Sequence, residues 1–146
     1  MAFTDEQLGN MLVNMASIYH HLTNEDNLKG MTGDALSYTG VKLAAMKASI
    51  IELKHAAHKE LLEKEVLLGK AKAEAYYKYK KEHGSTAAGD MKYMDEDFIA
   101  AQREHNTAKS SYEQLKGTTA DVHDLLEQIQ TRIIDLGGQR KDERTH

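Results

Sequence analysis

An all-α fold is predicted for this chain, on three observations. Its 146 residues include no proline, its long stretches are dominated by Ala, Leu, Lys and Glu, and its apolar residues recur at spacings of three and four. Proline is the residue a helix interior tolerates least, and the four dominant types are among those it tolerates best. A three-four spacing gathers apolar side chains on one helix face. The length suits one domain. It is expected as a short N-terminal helix followed by an antiparallel hairpin of two long helices with coiled-coil packing, in an oligomer. Residues 1–33 form the short helix and a loop, 34–83 the first long helix, 84–94 the connection, 95–136 the second long helix and 137–146 a charged tail.

Thr4 can cap a helix over 4–21, and Gln7 stands where it can return the bond. Leu8, Met11, Leu12, Met15 and Ile18 share one face of it. The run Thr23-Asn24-Glu25-Asp26-Asn27, followed by Gly30 and Gly33, predicts a loop over 23–34.

Over 36–81 the apolar positions include Leu43, Met46, Ile50, Leu53, Ala57, Leu61, Leu68 and Ala75. Leu62, Val66, Leu67 and Tyr76 widen the stripe beyond a two-stranded seam. A helix apolar on more than one face must bury against more than one neighbour. The N-terminal helix folding back and further copies of the chain are both expected to cover it, so a homo-oligomer is expected. Gly84, Ser85 and Gly89 mark the turn that ends this helix.

The second long helix has the most regular pattern. Phe98, Ala101, His105, Ala108, Tyr112, Leu115, Thr119, Val122, Leu126, Ile129, Ile133 and Leu136 follow an unbroken three-four alternation, the seam of a coiled coil. Its first half is small and polar and its second half aliphatic. Hairpin and oligomer packing is therefore assigned to Tyr112, Leu115, Val122, Leu126, Ile129, Ile133 and Leu136. Gly117 falls on the outer face, and Gly137-Gly138 is expected to stop the helix.

The composition excludes several classes. With no cysteine there is neither a disulfide framework nor a Cys-based zinc site. The uncharged run 8–21 is broken by Asn10, Asn14, Ser17 and Tyr19, too short and polar for a signal peptide or membrane span. A cytoplasmic protein without a membrane partner is expected. Catalysis is not: Gly84-Ser85-Thr86-Ala87-Ala88-Gly89 lacks the Gly-Lys-Ser/Thr of a phosphate loop, and no Ser stands in a nucleophile motif. Glu52, His55 and His58 could share a helix face, but a di-iron site needs a second Glu-x-x-His and none is present. No metal or cofactor is expected.

The net charge of −4 conceals an uneven layout. Residues 1–40 carry −4, residues 41–84 carry +4 from ten Lys against six Glu, and residues 85–146 carry −4. Within the basic block, five lysines between 70 and 81 are interleaved with three tyrosines. Lys70, Lys72, Lys78, Lys80 and Lys81 could follow phosphates while Tyr76, Tyr77 and Tyr79 accept unstacked bases, the combination that sequence-tolerant binding of single-stranded nucleic acid uses. The alternative is that Tyr76 and Tyr79 pack in the hairpin and the lysines are a solvated helix end, favoured there by the helix dipole.

A Lys/Leu-rich helix ending in Tyr76-Tyr77, a polar glycine-containing loop, and Tyr93-Met94-Asp95-Glu96-Asp97-Phe98-Ile99 opening a second long helix resemble the phage recombination mediators of the UvsY type. The resemblance spans about 36–136. It implies a phage-encoded, non-enzymatic accessory protein of the host cytoplasm that forms ring-like homo-oligomers, binds single-stranded DNA and helps a RecA-like recombinase displace single-strand binding protein. It places Tyr76, Tyr77 and Lys78 at the family's aromatic and basic helix end. After Ile133 the chain departs from the family, with Asp135-Leu136-Gly137-Gly138-Gln139-Arg140-Lys141 in place of an aromatic-plus-basic closing motif. Periodicity leaves two other classes open. One is a phage structural or scaffolding protein whose 98–136 seam binds another chain. The other is an inhibitor of a host defence protein, with Asp95, Glu96 and Asp97 mimicking phosphates.

Overall fold

A computed structural model of the chain describes residues 30–145 and, before them, residues 6, 9, 10, 13, 14, 17, 20 and 21, with side chains described as far as residue 138. All the described residues except Met31, Thr32, Gly84 and Asp95 are helical, with no strand among them. Helix α1 spans Gly33–His83, α2 spans Ser85–Met91, a single 3-10 turn spans Lys92–Met94, and α3 spans Glu96–Thr145. The apolar face expected of the N-terminal helix, Leu8, Met11, Leu12, Met15 and Ile18, lies outside the described residues, as do residues 23–29 of the loop expected over 23–34; the end of that stretch is helical instead, since α1 already starts at Gly33. The eight described positions before residue 30 are helical and exposed.

Thr32 starts α1. Its Oγ1 accepts the Ala35 N–H at 3.2 Å and its carbonyl accepts the Leu36 N–H at 2.9 Å, so an orphan donor of the first turn is satisfied. Gly84 ends the helix. Its N–H still donates to the Lys80 carbonyl at 3.0 Å, but its φ of 84° and ψ of 170° turn the chain out of the helix. Those angles belong to glycine, because a Cβ there collides with the flanking backbone. The Gly84 carbonyl then accepts the Ala88 N–H at 3.1 Å and opens α2. The connection expected over 84–94 is thus itself helical, and buries Ala88 completely.

The chain falls into two compact units, each taking a segment from α1 and one from α3. The first comprises Met1–Leu53 and Lys116–His146. Its core is Leu36, Leu43 and Ile50 from α1 with Val122, Leu125 and Ile129 from α3. A Cβ on Gly40 would lie 3.5 Å from Ile129 Cγ2, and Lys47 Nζ lies 3.0 Å from His123 Nδ1. The second unit comprises Lys54–Leu115 and buries Ala57, Leu61, Ala75, Ala88, Phe98, Ala108 and Leu115. Within it His58 stacks on Tyr112 with ring centroids 4.9 Å apart, Lys64 Nζ bonds Glu104 Oε2 at 2.9 Å, and His105 Nε2 lies 3.8 Å from Glu65 Oε1. In the first unit the partner moves from Ile129 at Gly40 to His123 at Lys47, and in the second from Tyr112 at His58 to Glu104 at Lys64 and Asp95 at Lys78.

No residue of the three-four series on α3 is exposed. Phe98, Ala108, Leu115, Val122 and Ile129 are buried, and Ala101, His105, Tyr112, Thr119, Leu126, Ile133 and Leu136 are half-buried. Leu125 is buried more deeply than its seam neighbour Leu126, so the buried face is wider there than the heptad alone requires.

One expectation is corrected. Helix α3 does not stop at Gly137-Gly138 but runs through them to Thr145. A glycine ends a helix when its φ turns positive, and among the described residues only Gly84 does so. Elsewhere it costs the helix about 1 kcal/mol, and the Arg, Lys, Glu and Gln after Gly138 are good helix formers. Leu62, Val66 and Leu67 are exposed in the chain by itself.

The two glycine environments predict opposite responses to alanine. Gly84→Ala should destabilise by about 1–3 kcal/mol through its strained backbone, although open space surrounds the site. Gly117→Ala, in a helical position with nothing within 4 Å of the new Cβ, should stabilise by about 0.5–1 kcal/mol. Urea denaturation of both variants checks the pair.

Candidate nucleic-acid interface

The basic and aromatic residues of α1 divide between two surroundings. Tyr79 is half-buried, and its hydroxyl donates to Asp95 Oδ2 at 3.3 Å. Lys78 Nζ donates to the same oxygen at 3.4 Å, and lies 5.2 Å from the Tyr79 ring centroid. This pair points to the start of α3, and so serves the joint between the helices. The bond to Asp95 and the attraction of that carboxylate raise the Lys78 pKa.

Asp95 itself is 5% exposed and caps α3. Its Oδ1 accepts the N–H groups of Asp97 at 3.0 Å and Phe98 at 3.1 Å, and its carbonyl accepts the Ile99 N–H at 2.9 Å. The Phe98 bond is the main cause of a carboxyl pKa below the usual range; burial opposes it, and the Lys78 and Asp97 bonds add to it. Asp97 and Glu96 in the first turn further suit the positive end of the helix.

Tyr76 and Tyr77 face elsewhere. With Gly69, Lys72, Ala73 and Lys92 they line an open groove of about 290 Å³. The two rings meet edge to face at 5.7 Å. Lys92, from the 3-10 turn, stands 5.8 Å from the Tyr76 centroid and 5.0 Å from that of Tyr93. Lys72 lies 5.9 Å from Tyr93, and Lys80 lies 5.9 Å from Tyr76. Tyr93 in turn rests edge-on against the buried Phe98 at 5.7 Å, which fixes its ring. Tyr77 and Tyr93 remain 66% and 54% exposed, so each has ring surface open to a ligand.

Of the residues selected from sequence, the structure therefore brings Lys72, Tyr76, Tyr77 and Lys80 together. Lys70 is exposed and lies 3.9 Å from Glu74 on its own helix, Lys81 is exposed, and Lys78 and Tyr79 belong to the Asp95 cluster. Lys92 and Tyr93 were not selected, because they lie outside the basic run, in a connection whose fold the sequence pattern does not specify. The signal that could have found them is the Lys-Tyr dipeptide repeated at 78–79 and 92–93 on either side of the reversal.

Three lysines around three tyrosines favour an anion attached to a planar ring. Each ammonium is drawn to an aromatic face, which holds it beside the groove. Among the described residues no cluster of three or more His, Asp or Glu could hold a metal, and no helix is long and apolar enough to cross a membrane.

The Asp95 charge carries a pH dependence of defined sign. A lowered carboxyl pKa contributes stability that is complete above the unfolded value, near 3.9, and is lost as pH falls through the folded value. Asp95→Asn retains a capping side chain but not the charge. It should be less stable than the parent at pH 7, with the gap closing below about pH 4. Thermal melts across pH measure this; an unchanged gap at low pH would assign the loss to shape alone.

In comparisons with known proteins, no family model, curated protein or solved structure matches the chain.

Proposed function

We propose that this chain is a non-enzymatic, single-stranded-DNA-binding recombination accessory protein that helps to load a RecA-like recombinase against single-strand binding protein. It works as a homo-oligomer in which α1 and α3 pair antiparallel within each unit, with coiled-coil packing along the α3 seam. The observation that carries the DNA element is the groove lined by Lys72, Tyr76, Tyr77 and Lys92, with Tyr93 beside Lys72 and Lys92 and Lys80 beside Tyr76. Support for the recombination element is the resemblance in Tyr76-Tyr77 and in Asp95-Glu96-Asp97-Phe98-Ile99.

In this mechanism the lysines gather phosphates and the exposed rings of Tyr77 and Tyr93 take up bases, so the strand is held unstacked. Repeating the groove around an oligomer raises the effective concentration of each site for the next stretch of strand. A DNA strand held in this way is presented extended to a recombinase.

Fluorescence anisotropy of labelled oligo-dT tests the reading. Stacking is worth about 1–3 kcal/mol per base, so Tyr77→Ala and Tyr93→Ala should each weaken binding about tenfold or more. Tyr79→Phe, which removes the bond to Asp95 but keeps the ring, should cost about 1 kcal/mol of stability and leave DNA affinity unchanged. Lys92→Gln should flatten the dependence of log affinity on log salt by about 0.7. Equal affinity in the parent and the Tyr77/Tyr93 double variant would end the stacking mechanism.

A further inference from the structure

The face of α1 that continues the groove away from the chain reversal is uncovered. Leu62, Val66, Gly69, Ala73 and Tyr77 follow one another at spacings of three and four, so they form one crest on the side opposite the buried Ala57, Leu61 and Ala75. Gly69, Ala73 and Tyr77 of that crest also line the groove. Leu62 and Val66 lie beyond it, 49% and 72% exposed. The charges on the crest are nearly all of one sign. At about 100° per residue, Lys59, Lys70, Lys80 and Lys81 fall within about 60° of the Val66 direction, and between residues 59 and 81 Glu63 is the one acid that does so. Glu60, Glu65 and Glu74 stand farther round, at about 80–120°.

We infer that the track for single-stranded DNA runs on from the groove along this crest to Lys59, with Leu62 and Val66 against the apolar parts of the nucleotides, their sugar carbons and thymine methyls, and with Lys70 and Lys59 on the phosphates. The inference rests on the DNA-binding reading above and extends its site. Continuity and charge favour this occupant. A strand seated against Tyr77 meets Ala73 and Gly69 next, and these small residues leave the helix backbone open to its passage. An apolar helix of another protein would cover the same two residues, close the groove, and hold Lys59 and Lys70 against a partner without counter-charge. The lysines are available to phosphates: Glu74 approaches Lys70 only to 3.9 Å with both side chains 69% exposed, a pair that solvent screens. Glu65 lies 3.8 Å from His105 of α3, to the side of the crest. Aliphatic side chains cannot stack on bases as tyrosine does, so this part of the track works through phosphate contacts and makes affinity depend on strand length. From Lys59 to Lys80 the helix rises about 30 Å, which at 3.4 Å per nucleotide accommodates no more than about nine nucleotides.

Anisotropy of labelled oligo-dT, with strands of about three to about twelve nucleotides, tests the extent of the track. Affinity of the parent should keep rising beyond three nucleotides and level off by about nine. Lys59→Gln/Lys70→Gln should flatten that rise and lower the salt slope of the longest strand by about 1.4, for two phosphates, while leaving the shortest strand, which fills the groove alone, bound as before. Circular dichroism confirms helix content in each variant. The chain has no cysteine, so Val66→Cys carrying a photoreactive benzophenone should cross-link to the strand, and Glu60→Cys, exposed on the flank, should not. Affinity that levels off at about three nucleotides, an unchanged salt slope, or equal cross-linking at both positions would each overturn the inference. So would an oligomer, measured by light scattering, that Leu62→Gln/Val66→Gln dissociates, since it would assign the face to a second copy of the chain. The groove and its extension fail separately. Binding that depends on Tyr77 and Tyr93 but not on Lys59 and Lys70 keeps the groove and removes the extension, and a parent that binds no strand of any length removes the DNA reading itself.

Discussion

A carboxylate is kept out of water only when its lone pairs are taken by donors, since an unpaired buried charge costs several kcal/mol. Asp95 meets that condition with donors from both sides of the chain reversal. Two are backbone N–H groups of its own helix start, and two are the Tyr79 hydroxyl and Lys78 ammonium near the end of α1. The end of one 51-residue helix is thereby tied to the beginning of one of 50 residues. Gly84 makes the arrangement reachable, because its positive φ lets the chain leave α1 within one residue and start α2 at once. The position of the 3-10 turn follows, and with it that of Lys92 and Tyr93.

The groove is a consequence of that joint. Tyr76 and Tyr77 come from α1, while Lys92 and Tyr93 come from the turn just before Asp95, so neither half has the site alone. Phe98, buried one turn into α3, supports the Tyr93 ring. Neighbouring residues of one basic run are thus separated by function according to helix face. Tyr79 is turned toward the joint, and Tyr77 toward solvent. The acidic total charge does not oppose the proposed role, because what a phosphate meets is the local field, and the +4 block of 41–84 supplies it.

Burial energy is concentrated on the inward-facing residues of α1 and α3. A fully buried Leu or Ile is worth about 1.5–3 kcal/mol, and Leu36, Leu43, Ile50, Leu61, Val122 and Ile129 are buried within the chain. Leu62 and Val66 retain that energy. The half-buried His105 marks a softer part of the seam, where small and polar side chains replace the aliphatic ones found beyond Leu115.

The sequence by itself determined the helical class, the two long helices and the face of α3 that turns inward, because a three-four period over tens of residues has only one low-energy solution. It also located the reversal, through Gly84, and the basic and aromatic run. It misjudged Gly137-Gly138, since a glycine ends a helix by its backbone angles, which composition does not specify. It could not separate Tyr79 from Tyr77, because the distinction depends on where Asp95 lies across the turn. Nor could it bring Lys92 and Tyr93 to Tyr76, a juxtaposition made by the joint between helices rather than by spacing along one. Local pattern decides which side chains share a face; only the tertiary structure decides which faces meet.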